Sequence, residues 1–240
     1  MITIKHLAKS YPDSAHCDLY IPSLTIPDGE VVGVLGANGA GKSTLLRAIM
    51  GLTNAGDPRA VQIDGRLPQA CYGELSYMTE AGSFPPFLSP SAYGAFQADL
   101  YPGFDRARYE KLLSFFQLPT DRPARTFSNG QRAKLEVAAG FSRGARYLLL
   151  DEPFLGKDIF TRRDFLKLMA GSLHHGETIL VATHQVDEIE NFLDRAILLH
   201  EGEVRADVYL DGLRAQGRTL VGLMQEIAGY DPARWRNFTG

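Results

Sequence analysis

The chain has 240 residues, of which 45% are hydrophobic and 22% are charged. This composition is typical of a globular protein and excludes a disordered chain or a collagen-like repeat. The 25 basic and 28 acidic side chains leave a formal net charge of -3, so the overall charge gives no reason to expect nucleic acid as a partner. Two cysteines, Cys17 and Cys71, are too few for a disulfide scaffold or a zinc ribbon and are typical of a reducing compartment.

The N-terminal residues do not have the pattern of an export signal. Residues 2–7 alternate between apolar and polar side chains and predict a β-strand rather than a continuous apolar stretch. Charged residues, Gly or Pro interrupt every apolar run well before the length of about 18 residues that a membrane-spanning helix needs. We therefore expect a cytoplasmic protein that does not cross a membrane by itself.

Strands and helices alternate along most of the chain. The predicted strands lie at 2–7, 31–35, 61–63, 74–78, 147–150, 178–182 and 196–199, and the predicted helical segments lie at 42–50, 91–118, from 128 onward, at about 160–173 and around 220–227. Apolar strands that alternate with helices are typical of an α/β fold with a mainly parallel sheet and helices on both faces.

A phosphate-binding motif follows the second predicted strand. Residues 36–43, Gly-Ala-Asn-Gly-Ala-Gly-Lys-Ser, match G-x-x-x-x-G-K-[ST] and lead directly into a helix. The glycines let backbone N–H groups face the phosphates, Lys42 reaches the terminal phosphates, and Ser43 is placed to ligate Mg²⁺. The competing interpretation, a glycine turn with a surface lysine, is disfavoured by the strand before the motif and the helix after it.

Polar residues follow two later apolar strands. Asp151 and Glu152 come after the strand at 147–150, and His184 comes after the strand at 178–182. In open α/β sheets, ligands bind at the carboxyl ends of the strands, so Asp151 is predicted to hold Mg²⁺, Glu152 to polarise the attacking water and His184 to donate to a phosphate oxygen. The alternative for the two carboxylates is that they face solvent or cap a turn.

The order of these motifs resembles the nucleotide-binding subunit of ABC transporters over residues 2–205. Tyr11 stands at the position of the aromatic residue that stacks on adenine, Gly36–Thr44 at the Walker A loop, Glu80 at the glutamine loop, Ser128-Asn129-Gly130-Gln131 at the LSGGQ signature, Asp158 at the D-loop aspartate and His184 at the switch histidine. Many phosphate-loop proteins share the Walker A motif, but very few share all of these motifs in this order.

The resemblance implies a set of site residues. The ATP-binding residues would be Tyr11, Gly36, Asn38, Gly39, Ala40, Gly41, Lys42, Ser43, Thr44, Ser128, Asn129, Gly130, Gln131 and Asp158. The catalytic residues would be Lys42, Glu80, Glu152 and His184, and the Mg²⁺ ligands Ser43, Glu80 and Asp151. The implied cofactors are therefore ATP and Mg²⁺.

The resemblance also implies an architecture and partners. Residues 1–205 would form a P-loop NTPase domain of the ABC type, with a mainly parallel core sheet, an antiparallel β subdomain and an α-helical subdomain inserted at about 80–140. Residues 206–240 would add a short helical extension. Two such domains, as a homodimer or a heterodimer, would sandwich ATP head to tail and power a separate transmembrane permease subunit that holds them at the inner face of the cell membrane.

Four residues depart from the family pattern. Asn129 replaces a glycine of the signature, and its tolerance of left-handed backbone predicts that the signature survives. Phe127 replaces leucine conservatively, whereas Lys157 puts a charge near the expected dimer seam. Glu80 replaces glutamine and would add a third carboxylate beside Asp151 and Glu152, which Mg²⁺ and Lys42 would have to balance.

The segment 80–119, with its stretches 100–105 and 115–119, resembles the helical subdomain of bacterial export-type cassettes that work with separate membrane subunits. Two other functions remain open at this point. One is a soluble ABC ATPase in DNA repair, translation or cluster assembly, although the sequence has neither a second cassette nor a long coiled coil. The other is a binding module without catalytic activity.

Overall fold

The computed structural model of the chain describes residues 1–12, 17–54, 56–79, 84–153, 165–169, 171, 176–187 and 189–229. Within these ranges, no helix has both the length and the apolar character needed to cross a bilayer.

The strands of the described residues form one sheet. They are β1 (Ile2–Lys9), β2 (Leu19–Ile26), β3 (Val31–Leu35), β4 (Val61–Ile63), β5 (Leu75–Thr79), β6 (Tyr147–Asp151), β7 (Thr178–Thr183), β8 (Arg195–His200) and β9 (Glu203–Tyr209), in the spatial order β4-β1-β2-β9-β8-β3-β7-β6-β5. Strands β8, β3, β7, β6 and β5 run parallel. Strand β1 pairs antiparallel with β2 and β4, and β9 pairs antiparallel with β8. The predicted mainly parallel core with an antiparallel β region is confirmed.

Helices cover both faces of this sheet. They are α1 (Lys42–Ile49), α2 (Pro90–Leu100), α3 (Arg106–Phe115), α4 (Asn129–Ser142), α5 (Leu210–Ala215) and α6 (Leu220–Ile227), with helical residues also at 165–169 and short 3-10 helices at Pro68–Glu74, Ala124–Thr126 and Glu190–Phe192. The helices predicted after Lys42, after Ser128 and around Leu220 are confirmed.

The single helical stretch predicted over 91–118 is two helices. Helix α2 ends at Leu100, just before Pro102, because proline lacks an N–H and its ring clashes with the preceding helical turn. Asp105 then begins α3, since its carboxylate accepts a hydrogen bond from the Arg108 N–H at 2.8 Å. The apolar spacing continues across the break, which is why the pattern alone suggests one helix.

Two strands were not predicted. Strand β2 pairs with β1 along its whole length, and β9 pairs with β8. In β9 the partly buried residues Val204, Ala206 and Val208 alternate with exposed residues, a pattern typical of a half-buried strand that the prediction did not include. The predicted boundary between residues 205 and 206 falls inside β9, and the division into a domain and an extension stays a prediction.

The core consists of two layers, one on each face of the sheet. In β3, Val31 and Leu35 belong to the layer that contains α4, whereas Val32 and Val34 belong to the layer that contains α1. Successive side chains of a strand point to opposite faces, so a strand buried on both sides is apolar throughout. The carboxyl ends of β3, β6 and β7 then meet at one edge, where Leu35 pairs with Thr183 and Asp151 pairs with Ala182.

Candidate active site

The loop between β3 and α1 forms the floor of the site. A side chain at Gly36 would place its Cβ 2.3 Å from the carbonyl oxygen of Leu199, so only glycine fits there. Gly41 has a φ of 100°, in the region that favours glycine, and immediately precedes α1. The loop therefore turns sharply and presents the N-terminus of α1, a place that favours anions.

The side chain of Lys42 points back into this loop. Its ammonium donates hydrogen bonds to the carbonyl oxygens of Gly36, at 2.9 Å, and Ala37, at 3.1 Å. The same nitrogen lies 3.3 Å from Oε1 of Glu152, and the side chain is only 5% exposed. The cation is thus fixed beside the loop and next to the carboxylate predicted to act on water.

Ser43 and Asp151 meet as predicted for a shared metal site. The Ser43 hydroxyl donates to Oδ1 of Asp151 at 2.7 Å, and the hydroxyl of Tyr77 donates to Oδ2 at 2.8 Å. Burial, followed by the hydrogen bond to Asp151, raises the pKa of Tyr77 to about 12. The phenol therefore stays protonated at neutral pH and can keep donating to the carboxylate.

Glu152 and His184 are also brought together. Oε1 of Glu152 lies 3.0 Å from Nδ1 of His184, and Oε2 accepts a hydrogen bond from the Thr183 hydroxyl at 3.1 Å. Burial alone would raise the pKa of Glu152, but the bond from His184, the charge of Lys42 and the bond from Thr183 together hold it below its ordinary value. Glu152 is consequently a carboxylate at neutral pH.

Tyr11 lies beside the phosphate loop. Its hydroxyl is 3.5 Å from Oγ1 of Thr44, its backbone N–H donates to Asp18 at 2.7 Å, and its ring is 37% exposed. An open cavity of about 340 Å³ is lined by Tyr11, Asp18, Asn38, Gly39, Gly41, Lys42, Ser43, Thr44 and Glu152. Ala40 is buried beneath this loop. Stacking of Tyr11 on adenine stays a prediction.

The signature residues form the N-terminus of α4. Ser128 is its N-cap: its hydroxyl accepts from the Gln131 N–H at 3.2 Å, and the Gln131 side chain accepts from the Ser128 N–H at 3.0 Å. Ser128 and Asn129 are exposed, and Gly130 is partly buried. Asn129 is the first residue of the helix and does not have a positive φ. Its tolerance of left-handed backbone is therefore not needed here.

Three predicted positions lie outside the described residues: Glu80, Lys157 and Asp158. Their roles stay predictions.

Sequence reasoning missed three residues of this edge. Tyr77 and Thr183 bond the two carboxylates directly, and Arg47 of α1 interacts with the phenol oxygen of Tyr77, which raises the pKa of its guanidinium. Thr183 directly precedes His184 at the end of β7, so the strand-end pattern that predicts His184 at this edge also predicts Thr183 there. Tyr77 depends on the pairing of β5 with β6, which no local pattern reveals.

The donors at this edge suit Mg²⁺. Ser43 and Asp151 offer only oxygen atoms, the ligand type that Mg²⁺ prefers. In the part of the chain that the structure describes, no group of three or more His, Cys, Asp or Glu residues is placed to hold a metal. Mg²⁺ usually takes one or two protein carboxylates and completes its ligands with substrate phosphates and water, and the predicted ligand Glu80 lies outside the described residues.

Comparisons with known proteins agree with this geometry. The family model described as "ABC transporter" matches residues 19–155. The chain is 37% identical over 188 residues to the aliphatic sulfonates import ATP-binding protein SsuB 1 of Xanthomonas axonopodis pv. citri, over 73% of this chain and 72% of that protein. It is 29% identical over 221 residues to the lipopolysaccharide export system ATP-binding protein LptB of Haemophilus influenzae, over 86% and 89% of the two chains.

A solved structure described as the ATP-binding subunit of an ABC transporter superposes with a TM-score of 0.84. It is 29% identical in sequence, and the match covers 95% of this chain and 99% of that one.

Proposed function

The chain belongs to the ABC transporter family, and we propose that it is the subunit that hydrolyses MgATP to drive a separate membrane-spanning partner. The observation that carries this proposal is the position of Glu152. Its carboxylate is held by His184 and Thr183, lies 3.3 Å from the ammonium of Lys42, and directly follows the Asp151 that Ser43 contacts. The residues proposed to bind phosphate, to hold the metal and to activate water thus lie together at one edge of the sheet.

Each side chain has a distinct task in phosphoryl transfer, where the protein mainly positions groups and stabilises charge. The N-terminus of α1 and Lys42 bind the phosphates, and Ser43 and Asp151 would hold the metal. Mg²⁺ bound there would neutralise charge on the phosphate oxygens. Glu152 orients the attacking water and accepts its proton, and His184 holds the Glu152 carboxylate through Nδ1.

We further infer that two cassettes act together. The N-terminus of α4 is exposed, and such an end attracts anions through its free N–H groups and its dipole. This arrangement fits a γ-phosphate supplied by a second subunit, so that ATP would join the two and hydrolysis would release them. The second subunit is a copy of this chain or a related ATP-binding subunit.

The membrane partner is proposed from the family. The names of the relatives include both an import and an export system, so the export direction stays a prediction. Through such a partner the chain would lie at the inner face of the cell membrane. Purification from native membranes tests this: a hydrophobic subunit should co-purify, and a protein recovered without any such subunit favours the alternative of a soluble ABC ATPase.

Hydrolysis itself is tested with the purified chain and its partner. We expect MgATP turnover that EDTA abolishes and that Asp151→Asn reduces strongly, because the neutral amide cannot replace a metal-binding carboxylate. Asp211→Asn is the matched control, since Asp211 is 98% exposed and lies on α5. Absence of Mg²⁺-dependent turnover in the native complex would support a binding module without catalytic activity.

A further inference from the structure

Both oxygens of the Asp151 carboxylate are bonded by hydroxyl groups. Oδ1 accepts from Ser43 at 2.7 Å and Oδ2 accepts from Tyr77 at 2.8 Å. Asp151 is only 8% exposed, so few water molecules can compete for these positions. The rotation of the carboxylate is therefore determined by two protein hydroxyls on opposite sides.

The two hydroxyls differ in what they can do when a metal binds. Ser43 lies in the first turn of α1 beside the phosphate loop and is itself a predicted metal ligand. Tyr77 lies in β5, next to β6, with Tyr77 paired to Leu149 and Thr79 paired to Asp151. The phenol thus approaches Asp151 from the neighbouring strand and holds the oxygen that does not contact Ser43.

Tyr77 is itself held from two sides. The guanidinium of Arg47, on α1, interacts with its phenol oxygen and also with Tyr11. On the other side, the backbone carbonyl of Tyr77 accepts a hydrogen bond from the buried Arg143 at 3.4 Å. Arg143 follows α4 and also donates to Gln97 of α2 at 3.0 Å. Arg47 therefore contacts the side chain of Tyr77, and Arg143 holds its backbone.

We propose that Tyr77 is a positioning residue for Mg²⁺: its hydroxyl orients Asp151 so that Oδ1 faces the metal, and Arg47 keeps the phenol in place. The inference rests on the proposed function, because it concerns the metal that accompanies ATP. Groups that orient a metal ligand through a hydrogen bond commonly change metal affinity about 10- to 100-fold when removed. Neither Tyr77 nor Arg47 needs to touch ATP or Mg²⁺ for this role.

The test measures metal dependence without turnover. Binding of a fluorescent, non-hydrolysable ATP analogue is followed in EDTA and along a series of Mg²⁺ concentrations. Tyr77→Phe removes one oxygen atom and keeps the ring. We expect the half-effective Mg²⁺ concentration to rise about 10-fold or more in this variant, with an unchanged affinity for the analogue in EDTA.

Tyr72→Phe is the matched control. Tyr72 lies in the 3-10 helix before β5 and is 42% exposed, so the loss of its hydroxyl should leave the Mg²⁺ dependence native. A native Mg²⁺ dependence in Tyr77→Phe overturns the proposal. The proposal is also overturned if the affinity of Tyr77→Phe for the analogue falls as much in EDTA as it does in Mg²⁺. That result would show that the hydroxyl supports the nucleotide pocket rather than the metal.

Arg47→Met supplies a second variant. It removes the charge that holds the phenol and should raise the half-effective Mg²⁺ concentration by less than Tyr77→Phe does. Combined with Tyr77→Phe it should add nothing further, since both changes act through one hydroxyl. Additive effects would remove Arg47 from the proposal. If the native chain binds the analogue with no dependence on Mg²⁺, the proposed function fails together with the inference. If the native chain depends on Mg²⁺ and the variants show the same dependence, the inference alone fails.

Discussion

The phosphate-loop edge and the N-terminus of α4 each place a serine at the start of a helix after a loop. The serine of the first region bonds a residue far away in the sequence, whereas the serine of the second bonds a residue of its own helix. At the edge, Ser43 bonds Asp151 and Lys42 contacts Glu152, so the bonds join residues more than 100 positions apart. At α4, Ser128 and Gln131 bond each other's backbone within a single turn. One region is organised by the whole sheet and the other by its own helix.

The two kinds of bonding suggest which tasks a single chain performs and which need a second chain. The edge brings Lys42 next to Glu152 and Ser43 next to Asp151, so, in the proposed function, changes there should alter chemistry or nucleotide binding. The end of α4 is capped but exposed, so changes there should alter association between subunits.

The largest effect is expected at Glu152. Replacement by glutamine keeps the shape but removes the proton acceptor, so Glu152→Gln should slow hydrolysis by about 100- to 10,000-fold. ATP should still bind, and a nucleotide-bound dimer should accumulate because it is no longer released. Single-turnover hydrolysis and light scattering measure the two effects.

Glu110→Gln is the control for Glu152→Gln, since Glu110 is exposed on α3. Hydrolysis at the native rate in Glu152→Gln would remove Glu152 from its role and leave the edge without an identified base.

The next effect concerns association. Ser128→Arg places a long side chain at the exposed end of α4 and should abolish ATP-driven dimers while one chain still binds ATP. Ser89→Arg is matched, because the Ser89 hydroxyl caps α2 by accepting from the Ala92 N–H at 3.3 Å. Loss of dimers in both variants, or in neither, would contradict the distinction drawn between the two regions. Analytical ultracentrifugation with and without ATP measures whether each variant forms dimers.

A smaller effect is expected when Ser128 loses only its cap. Ser128→Ala removes the hydroxyl that accepts from the Gln131 N–H and should lower the free energy of unfolding by about 1 kcal/mol. Denaturant titration of the chain without ATP measures it. Nucleotide affinity of the single chain should not change, and a large fall in that affinity would mean that α4 contributes to the site of its own chain.

The smallest effect is a pH dependence of stability. Because the pKa of Glu152 is held below its ordinary value of 4.5, the unfolded chain binds this proton at a higher pH than the folded chain does. The stabilisation is present above pH 4.5 and is lost as the pH falls through the lower folded-state pKa. Denaturant titrations from pH 6 downward should therefore show a smaller decline in Glu152→Gln than in the native chain, with Glu110→Gln declining as the native chain does.

Much of the phosphate-loop edge follows from local sequence. The run Val31–Leu35 is apolar throughout because both faces of β3 are buried, and the glycines and Lys42 come directly after it. The same logic places Asp151 and His184 at strand ends. Because parallel strands share one carboxyl edge, residues far apart in the chain are predicted to meet, and Ser43 with Asp151 and Glu152 with His184 do so.

What local sequence does not contain is the lateral order of the strands. The contact between Tyr77 and Asp151 exists because β5 lies beside β6, an adjacency set by tertiary packing. Strand β9, in contrast, does carry a local signal, since Val204, Ala206 and Val208 alternate with exposed residues along it. Pro102 indicates a break between α2 and α3, but the apolar spacing continues across it and predicts a single helix.

The position of Lys42 has a consequence for the order of events. Its ammonium contacts two loop carbonyls and Glu152. The phosphates that it is proposed to bind would compete with these groups for the same positive charge. A phosphate that draws the ammonium away from Glu152 also weakens the ion pair that lowers the proton affinity of this carboxylate. In the proposed function, substrate entry and base strength would thus be linked through one cation, because the arriving phosphates would make Glu152 a better acceptor for the proton of the attacking water.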